Sequence, residues 1–198
     1  MESDSGIRAG NLVRAPRSIE DRKSRLLEDQ RSPPLDRGHR PGSDGLIMRA
    51  VIQRVSRAQV EVGNSVVGSI AQGLLVFLGI QEPDTEEDRQ WLAHKILQMR
   101  IFEDGEGKMN HSVQDVSGGI LLISQFTLFG NLKKGTRPSF NRAAPPEKGK
   151  AFYKAFLKEL SDQSGLRVEG GRFGQHMDIE ARQDGPVTLI LDTHERKF

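Results

Sequence analysis

A short polar run, Ser124–Leu128 (SQFTL), ends an apolar segment of the chain. If the run is a strand, Ser124 faces one side of the sheet while Gln125 and Thr127 face the other. Buried polar groups are costly unless they are hydrogen-bonded, so this arrangement suggests a use in binding or catalysis. The simpler interpretation is a strand end at which these side chains pair with neighbouring backbone.

A second unusual segment, Asp184–Thr188 (DGPVT), directly precedes the last apolar strand. Gly-Pro at the entrance of a strand is typical of a turn, which is one interpretation. The other rests on the small cost, about 0.5–1 kcal/mol, of a cis peptide bond before proline. A cis Gly185-Pro186 bond would project both carbonyl groups into the same space as a rigid polar wedge.

The loop 129–146 is basic. It lies between Asp115 and Glu147, an interval without any acidic residue, and it holds four cations within ten positions: Lys133, Lys134, Arg137 and Arg142. A patch of one sign suits a phosphate backbone, so these residues are candidates for nucleic-acid contacts. The alternative interpretation is a solvated basic loop. With the interleaved Phe129 and Phe140, the loop also fits a non-catalytic RNA-binding module.

Other kinds of site have little support in the sequence. The histidines of the C-terminal three quarters lack the i,i+4 or HExxH spacing of a zinc site: His94, His111, His176 and His194. A triad of Ser124, His176 and Asp178 can be drawn, but no GxSxG motif supports it. Phosphate-binding glycine loops are also absent. The sequence therefore predicts neither a metal nor a cofactor.

Composition divides the chain at Met48. Residues 1–47 contain no aromatic residue, four of the nine prolines and 17 charged residues, so they bury too little apolar surface to offset the entropy of ordering. We expect a disordered extension there. An organelle-targeting segment is the alternative, which eight acidic residues disfavour. Residues 48–198 have the size of one domain.

The whole chain of 198 residues carries a formal net charge of +2 and no cysteine. Disulfide scaffolds, thiolate zinc sites and thiol nucleophiles are therefore excluded, and a reducing, cytoplasmic setting is expected. The longest apolar run, Gly73–Ile80, is far shorter than the ~20 residues of a membrane-spanning helix. No membrane association is predicted.

Hydrophobic periodicity predicts an α+β domain. Strands are expected at 50–62, 66–71, 73–80, 120–128, 166–168, 177–181 and 187–191. A first helix should begin at an N-cap Asp84, with Glu87 completing a capping box, and end near Met99. A second should span about 146–161 with Phe152, Ala155, Phe156 and Leu160 facing inward. The expected fold is a curved antiparallel or mixed β-sheet, a partial barrel, with two packing helices.

Four segments together closely resemble the D-aminoacyl-tRNA deacylases, of the type with a cis Gly-Pro motif. These are MRAVIQRVSRAQVEV at 48–62, SQFTLFG at 124–130, RPSF at 137–140 and GGRFGQHMDIEARQDGPVTLILD at 170–192. The resemblance covers 48 to about 192, and the order and spacing of SQFTL and GPVT are highly specific. It implies hydrolysis of the ester that joins a D-amino acid, or glycine, to the terminal adenosine of tRNA. It also implies a homodimer whose active site lies at the subunit interface.

The resemblance further implies roles for individual residues. Ser124, Gln125 and Thr127 resemble the strand that lines the ester, and Phe126 resembles the residue that packs on adenine. Thr127 is one candidate nucleophile, but no base is visible to activate it, which favours assistance by the ribose 2′-hydroxyl. The further members of the implied substrate pocket are Phe173, Met177 and Thr188.

Gly185 and Pro186 match the chirality selector of the family, inserted from the other subunit, and Arg54 resembles the arginine that holds it. D- and L-aminoacyl groups contain the same atoms, so a clash must reject the wrong hand. One departure occurs at Gln183, where the family usually has Asn.

Overall fold

The computed structural model describes residues 48–133 and 135–195. The predicted extension 1–47 and Lys134 lie outside these ranges. Strand β1 (Arg49–Val62) is the centre of the fold because it pairs antiparallel with β2 (Ser65–Ile70), β3 (Gly73–Gly79) and β8 (Asp178–Asp192). Strand β6 (Gly119–Ser124) then pairs parallel with β3 and with β7 (Val168–Gly170).

The sheet curls until its ends approach each other. A Cβ atom added to Gly68 of β2 would lie 3.3 Å from the carbonyl oxygen of Gly170 on β7, so these strands meet although they are distant in the strand order. The prediction of a mixed, curved sheet in an α+β domain is confirmed. A second sheet, β4 (Phe102–Glu103) with β5 (Met109–His111), was not predicted.

Both faces of the central strand β3 are buried, as its unbroken apolar sequence predicts. Leu74 and Val76 pack on the side of the two helices, α1 (Glu86–Gln98) and α2 (Pro146–Ser164), with Leu92 and Phe156. Leu75 packs on the other side, in a smaller cluster inside the curve of the sheet.

The predicted cap of α1 is wrong by one residue. Thr85 is the N-cap, and its backbone N–H donates to Asp88 Oδ2 at 2.9 Å while its hydroxyl accepts from the Asp88 N–H at 3.3 Å. Asp84 cannot cap the helix because its Oδ2 accepts from the Gln81 N–H at 2.6 Å. The helix ends at Gln98 with Met99 as C-cap, as predicted.

The inward face of α2 was partly predicted. Tyr153, Phe156 and Leu160 are buried, whereas the predicted Phe152 and Ala155 are only half-buried. The helix continues to Ser164, beyond the predicted end, and stops where Gly165 adopts φ +66°. In the described part of the chain, no helix is long and apolar enough to cross a membrane.

Two strand predictions need correction at the candidate site. The strand that was expected to reach Leu128 ends at Ser124, because its partner β3 ends at Gly79 and the ladder stops there. A 3-10 turn, Phe126–Phe129, follows. Residues 178–181 and 187–191 belong to one strand, β8, so the turn interpretation of Asp184–Thr188 is wrong, and Met177 lies just before this strand. Shifts in register against β1 absorb the irregularity.

Candidate active site

The SQFTL segment lies on the 3-10 turn that follows β6. Its base is fixed by the Gln125 N–H, which donates to the carbonyl of Leu78 at 2.7 Å. Arg49 holds its other end by donating to the Leu128 carbonyl at 3.2 Å, while the same guanidinium binds Asp192 at 2.8 Å. No pattern in the sequence pointed to Arg49.

The polar groups of this turn point outward. Thr127 is exposed, and its hydroxyl accepts a hydrogen bond from the side-chain amide of Gln125. Ser124 is half-buried at the end of β6. The first N–H groups of a helical turn have no acceptor inside it, so those of Phe126 and Thr127 are suited to bind an oxygen of a ligand. Within residues 48–133 and 135–195, no carboxylate or imidazole hydrogen-bonds Thr127.

Phe126 provides an exposed aromatic surface beside these groups. Its side chain is 57% exposed, and its ring meets that of Phe140 edge-on, with centroids 5.0 Å apart. Phe140 is itself held close to the turn, since a Cβ on Gly130 would lie 3.2 Å from its ring. The two rings join the SQFTL turn to the basic loop.

The Gly185-Pro186 peptide bond is cis, and both residues are exposed on β8. Gly185 has φ +128°, a conformation that side-chain-bearing residues rarely adopt, which explains glycine here. The preceding residue, Asp184, is bound through its carbonyl to Arg54 Nε at 3.2 Å and through its carboxylate to the same nitrogen at 3.1 Å.

Arg54 is the buried centre of this region, with only 4% of the residue exposed. Besides Asp184, it donates from Nη1 to the carbonyl of Ile101 at 2.6 Å and from Nη2 to Glu103 Oε1 at 3.4 Å. One guanidinium therefore ties β1 to β8 and to the small second sheet. The backbone on the N-terminal side of Gly185 is fixed by this network.

Three further predicted pocket residues have different surroundings. Phe173 is half-buried against Tyr153, with ring centroids 6.0 Å apart, and Met177 packs on the smaller core cluster. Burial raises the pKa of Tyr153 to about 12, and its hydroxyl donates to the Leu122 carbonyl at 2.8 Å. Thr188 is exposed on β8, opposite Gln53.

The basic loop forms an open recess of about 420 Å³. Lys133 and Arg137 line it together with Asn131, Ser139 and Asn141, which the sequence analysis did not select. Arg142 is exposed just beyond it. The sequence signal that could have indicated a binding recess is the pair Asn131 and Asn141, which flank the basic stretch.

A buried carboxyl lies under the C-terminal end of this loop. Asp84 is 3% exposed, and burial, as the largest cause, raises its pKa to about 7. Among the residues that the structure describes, its Oδ1 has no hydrogen-bond partner, nor has Nε2 of the neighbouring Gln81, whose backbone bridges to Ala143. This pair therefore lies under the C-terminal end of the basic loop.

The SQFTL turn and the Gly185-Pro186 dipeptide are far apart within one chain. Ser124 pairs with Leu78 of β3, and Leu78 pairs with Ala50 of β1. Gly185 of β8 lies opposite β1 near Arg54, which is four residues beyond Ala50. That offset is roughly 14 Å along the strand, and the segments also lie three strand spacings apart across the sheet, about another 14 Å. They do not meet on one substrate ester within a single chain.

The remaining candidates form no built site. His176 Nε2 lies 3.6 Å from Asp178 Oδ1, but both side chains are mostly exposed, and Ser124 makes no recorded hydrogen bond to either. No group of three or more His, Asp or Glu side chains that could hold a metal ion occurs in the described ranges.

Comparison with known proteins identifies the family. A family model described as D-Tyr-tRNA(Tyr) deacylase matches residues 51–192. A D-aminoacyl-tRNA deacylase of Thermotoga petrophila is 56% identical over 146 residues, which are 74% of this chain and 97% of that protein.

Two solved structures share the fold. One, named c-Myc DNA Unwinding Element Binding Protein, is 41% identical with a TM-score of 0.68 and covers 72% of this chain and 97% of its own. The other, described as a probable eukaryotic D-amino acid tRNA deacylase, is 20% identical with a TM-score of 0.66, covers 74% of this chain and 100% of its own, and supports the fold alone. From the family model and the sequence relatives, this chain belongs to the D-Tyr-tRNA(Tyr) deacylase family.

Proposed function

We propose that this chain hydrolyses the ester between a D-amino acid, or mischarged glycine, and the 3′-terminal adenosine of tRNA, releasing the free amino acid and tRNA. The observation that carries the proposal is the match of the whole described domain to deacylases of this kind, at 56% identity to one named D-aminoacyl-tRNA deacylase. Residues 48–198 would form the deacylase domain, and a cytoplasmic location stays a prediction.

The SQFTL turn would supply the catalytic groups. An activated ester needs orientation and donors for the oxyanion that develops on its carbonyl, and each well-placed donor contributes roughly 3–4 kcal/mol. The N–H groups of Phe126 and Thr127 and the side chains of Ser124 and Gln125 are suitable donors. Because Thr127 is hydrogen-bonded to an amide and not to a base, the ribose 2′-hydroxyl of the substrate would assist attack by water.

The exposed ring of Phe126 would stack on the terminal adenine, a contact worth about 1–3 kcal/mol for a base. Phe173 and Met177 would contribute the wall of the pocket and Thr188 its edge. Lys133, Arg137 and Arg142 would attract the phosphate backbone of the tRNA, and Lys134 would join them by its position in the sequence.

Gly185 and Pro186 would act as the chirality filter. The two hands of an aminoacyl group have equal hydrophobicity, so only a fixed obstacle near Cα separates them. Arg54 is well suited to hold this obstacle because it binds the residue before Gly185 and is itself buried. Gln183, in place of the usual Asn, lies opposite Val55 on β1.

A homodimer would bring the filter of one chain to the SQFTL turn of its partner. The separation of these segments within one chain requires such an arrangement if both contact the same ester. Strand β8 pairs on one side with β1 and carries the exposed Leu189 and Ile190, 37% and 65% exposed. An apolar strand at a sheet edge is a surface on which a second copy can pack.

The test is hydrolysis of D-Tyr-tRNA, L-Tyr-tRNA and Gly-tRNA by the full chain. Release from the D and Gly substrates, with the L substrate untouched, is expected. Release from both the D and the L substrate would contradict the proposed chirality filter. Binding of tRNA without release would favour the alternative, a non-catalytic RNA-binding module that uses loop 129–146, a reading that the DNA-element name of the 41% identical structure also suits.

A further inference from the structure

The recess in the basic loop is held open by its own backbone. Asn131 and Ser139 exchange two hydrogen bonds, from the Asn131 N–H to the Ser139 carbonyl at 2.8 Å and from the Ser139 N–H to the Asn131 carbonyl at 3.0 Å. These bonds close the base of the loop, and Gly135, with φ +77°, turns its tip. The lining residues are therefore presented by a small closed ladder.

The side chains that line the recess are donors. Asn131 Oδ1 already accepts from the Lys133 N–H at 2.9 Å, which leaves the amide nitrogen to donate outward. The backbone of Ser139 is used in the ladder, so its hydroxyl is free to turn toward a ligand. Within the described ranges, neither Lys133 nor Arg137 forms an ion pair, and no acidic residue occurs between 115 and 147.

Two cations with amide and hydroxyl donors are the combination that proteins use to bind phosphate groups of nucleic acids. The position of the recess narrows the choice of phosphate. Ser139 is followed directly by Phe140, whose ring contacts Phe126, the proposed adenine platform. A phosphate on the nucleotide whose base stacks there would lie next to the recess.

We propose that this recess, lined by Asn131, Lys133, Arg137, Ser139 and Asn141, binds the phosphodiester on the 5′ side of the terminal adenosine. The inference rests on the proposed function and adds to it a binding subsite for one phosphate group. The enzyme would act on aminoacyl esters at the end of a polynucleotide in preference to free aminoacyl-nucleosides, and the contact would be independent of base sequence.

The experiment compares D-Tyr-tRNA with D-tyrosyl-adenosine, which lacks this phosphodiester. Lys133→Gln and Arg137→Gln are each expected to lower the ratio of kcat/KM for tRNA to kcat/KM for the nucleoside about tenfold, because charge-assisted hydrogen bonds are lost. The log-log salt dependence of the tRNA reaction should become shallower by about 0.7 in each variant. Lys154→Gln, an exposed lysine on α2, removes the same charge as a matched control and should leave the ratio within about twofold.

A ratio in Lys133→Gln and Arg137→Gln equal to that in Lys154→Gln would overturn the inference. If the wild-type chain hydrolyses neither substrate, the proposed function fails. A binding measurement then tests the phosphate site in the recess independently of hydrolysis. Fluorescence anisotropy with a labelled CCA trinucleotide would show about tenfold weaker binding by Lys133→Gln if the recess holds phosphate. Equal binding by all variants would reject it.

Discussion

Two regions of the molecule each contain a buried ionisable side chain, and the two side chains differ in how completely they are hydrogen-bonded. Arg54, 4% exposed, is bound by oxygens from Asp184, Ile101 and Glu103, each at 3.4 Å or less. Asp84, 3% exposed, accepts from the Gln81 N–H, but its second oxygen has no partner in the described part of the chain. Similar burial therefore accompanies a complete network in one region and an incomplete one in the other.

The difference follows from what each region supports. A network that joins three segments holds the residue before the exposed Gly185-Pro186 dipeptide, and the proposed chirality filter works only if the position of this dipeptide is fixed. The region around Asp84 lies under a loop proposed to bind phosphates. Binding of a phosphate by cationic side chains depends mainly on charge, so it tolerates small displacements of the loop. Burial of the Asp84 carboxyl raises its pKa to about 7.

The largest expected effect comes from Asp84→Asn. Because the folded pKa of about 7 exceeds the unfolded value near 3.9, this carboxyl lowers the free energy of unfolding as pH rises from about 4 to 7. Three pKa units correspond to about 4 kcal/mol, which is the upper limit of the gain expected from the variant at pH 8. Urea unfolding at pH 5 and pH 8 measures it.

Asp104, a carboxylate whose pKa is lowered and not raised, provides the control. Asp104 accepts from the side chain of Asn110 at 2.6 Å and from two backbone N–H groups, and these bonds lower its pKa. Its stabilisation is present above the unfolded pKa and is lost as pH falls, so Asp104→Asn should destabilise the protein at neutral pH. If Asp84→Asn instead gives a pH profile parallel to wild type, the carboxyl is not buried in solution as described.

Arg54→Met tests the complete network. The change leaves the Asp184 carbonyl without its donor, so Gly185 and Pro186 lose their fixed position. A displacement of about 1 Å in a site of this kind costs on the order of 100-fold, and we expect a fall of that size in the D-over-L ratio of kcat/KM for Tyr-tRNA.

Arg57→Met is the matched control for this prediction. Arg57 lies three residues away on the same strand, but its side chain is 70% exposed and pairs with Glu180, at 3.3 Å. An exposed ion pair contributes little, so the ratio should not change. An unaltered ratio in Arg54→Met, with the protein still folded, would separate Arg54 from substrate selection.

The same comparison shows what the sequence was able to predict. Alternation and apolar runs predicted β1, the hairpin to β2, the buried β3 and the curved mixed sheet, because these patterns report which faces are buried. They did not predict that β6 stops at Ser124, since that depends on where its partner β3 ends. They also split β8 at Gly185, because a register shift against β1 has no local pattern.

Long-range contacts were the other limit. The bonds from Arg54 to Ile101 and Glu103 join residues 47 and 49 positions apart, and nothing in the local sequence indicates them. The ladder that shapes the phosphate recess joins Asn131 and Ser139 across a basic stretch that looks like a plain loop. The roles of the SQFTL residues and the homodimer stay predictions from the resemblance.

The smallest expected effect is that of Thr127→Val, which keeps the shape of the side chain and removes its hydroxyl. A nucleophile is indispensable, and removing one costs several orders of magnitude in kcat. The Thr127 hydroxyl accepts from the Gln125 amide, and no base hydrogen-bonds it within residues 48–133 and 135–195; the exposed amide can bind water instead. We therefore expect single-turnover hydrolysis of D-Tyr-tRNA within about threefold of wild type, whereas a tRNA ending in 2′-deoxyadenosine should react far more slowly. A loss of about 1,000-fold in a folded Thr127→Val protein would instead assign the attack on the ester to Thr127.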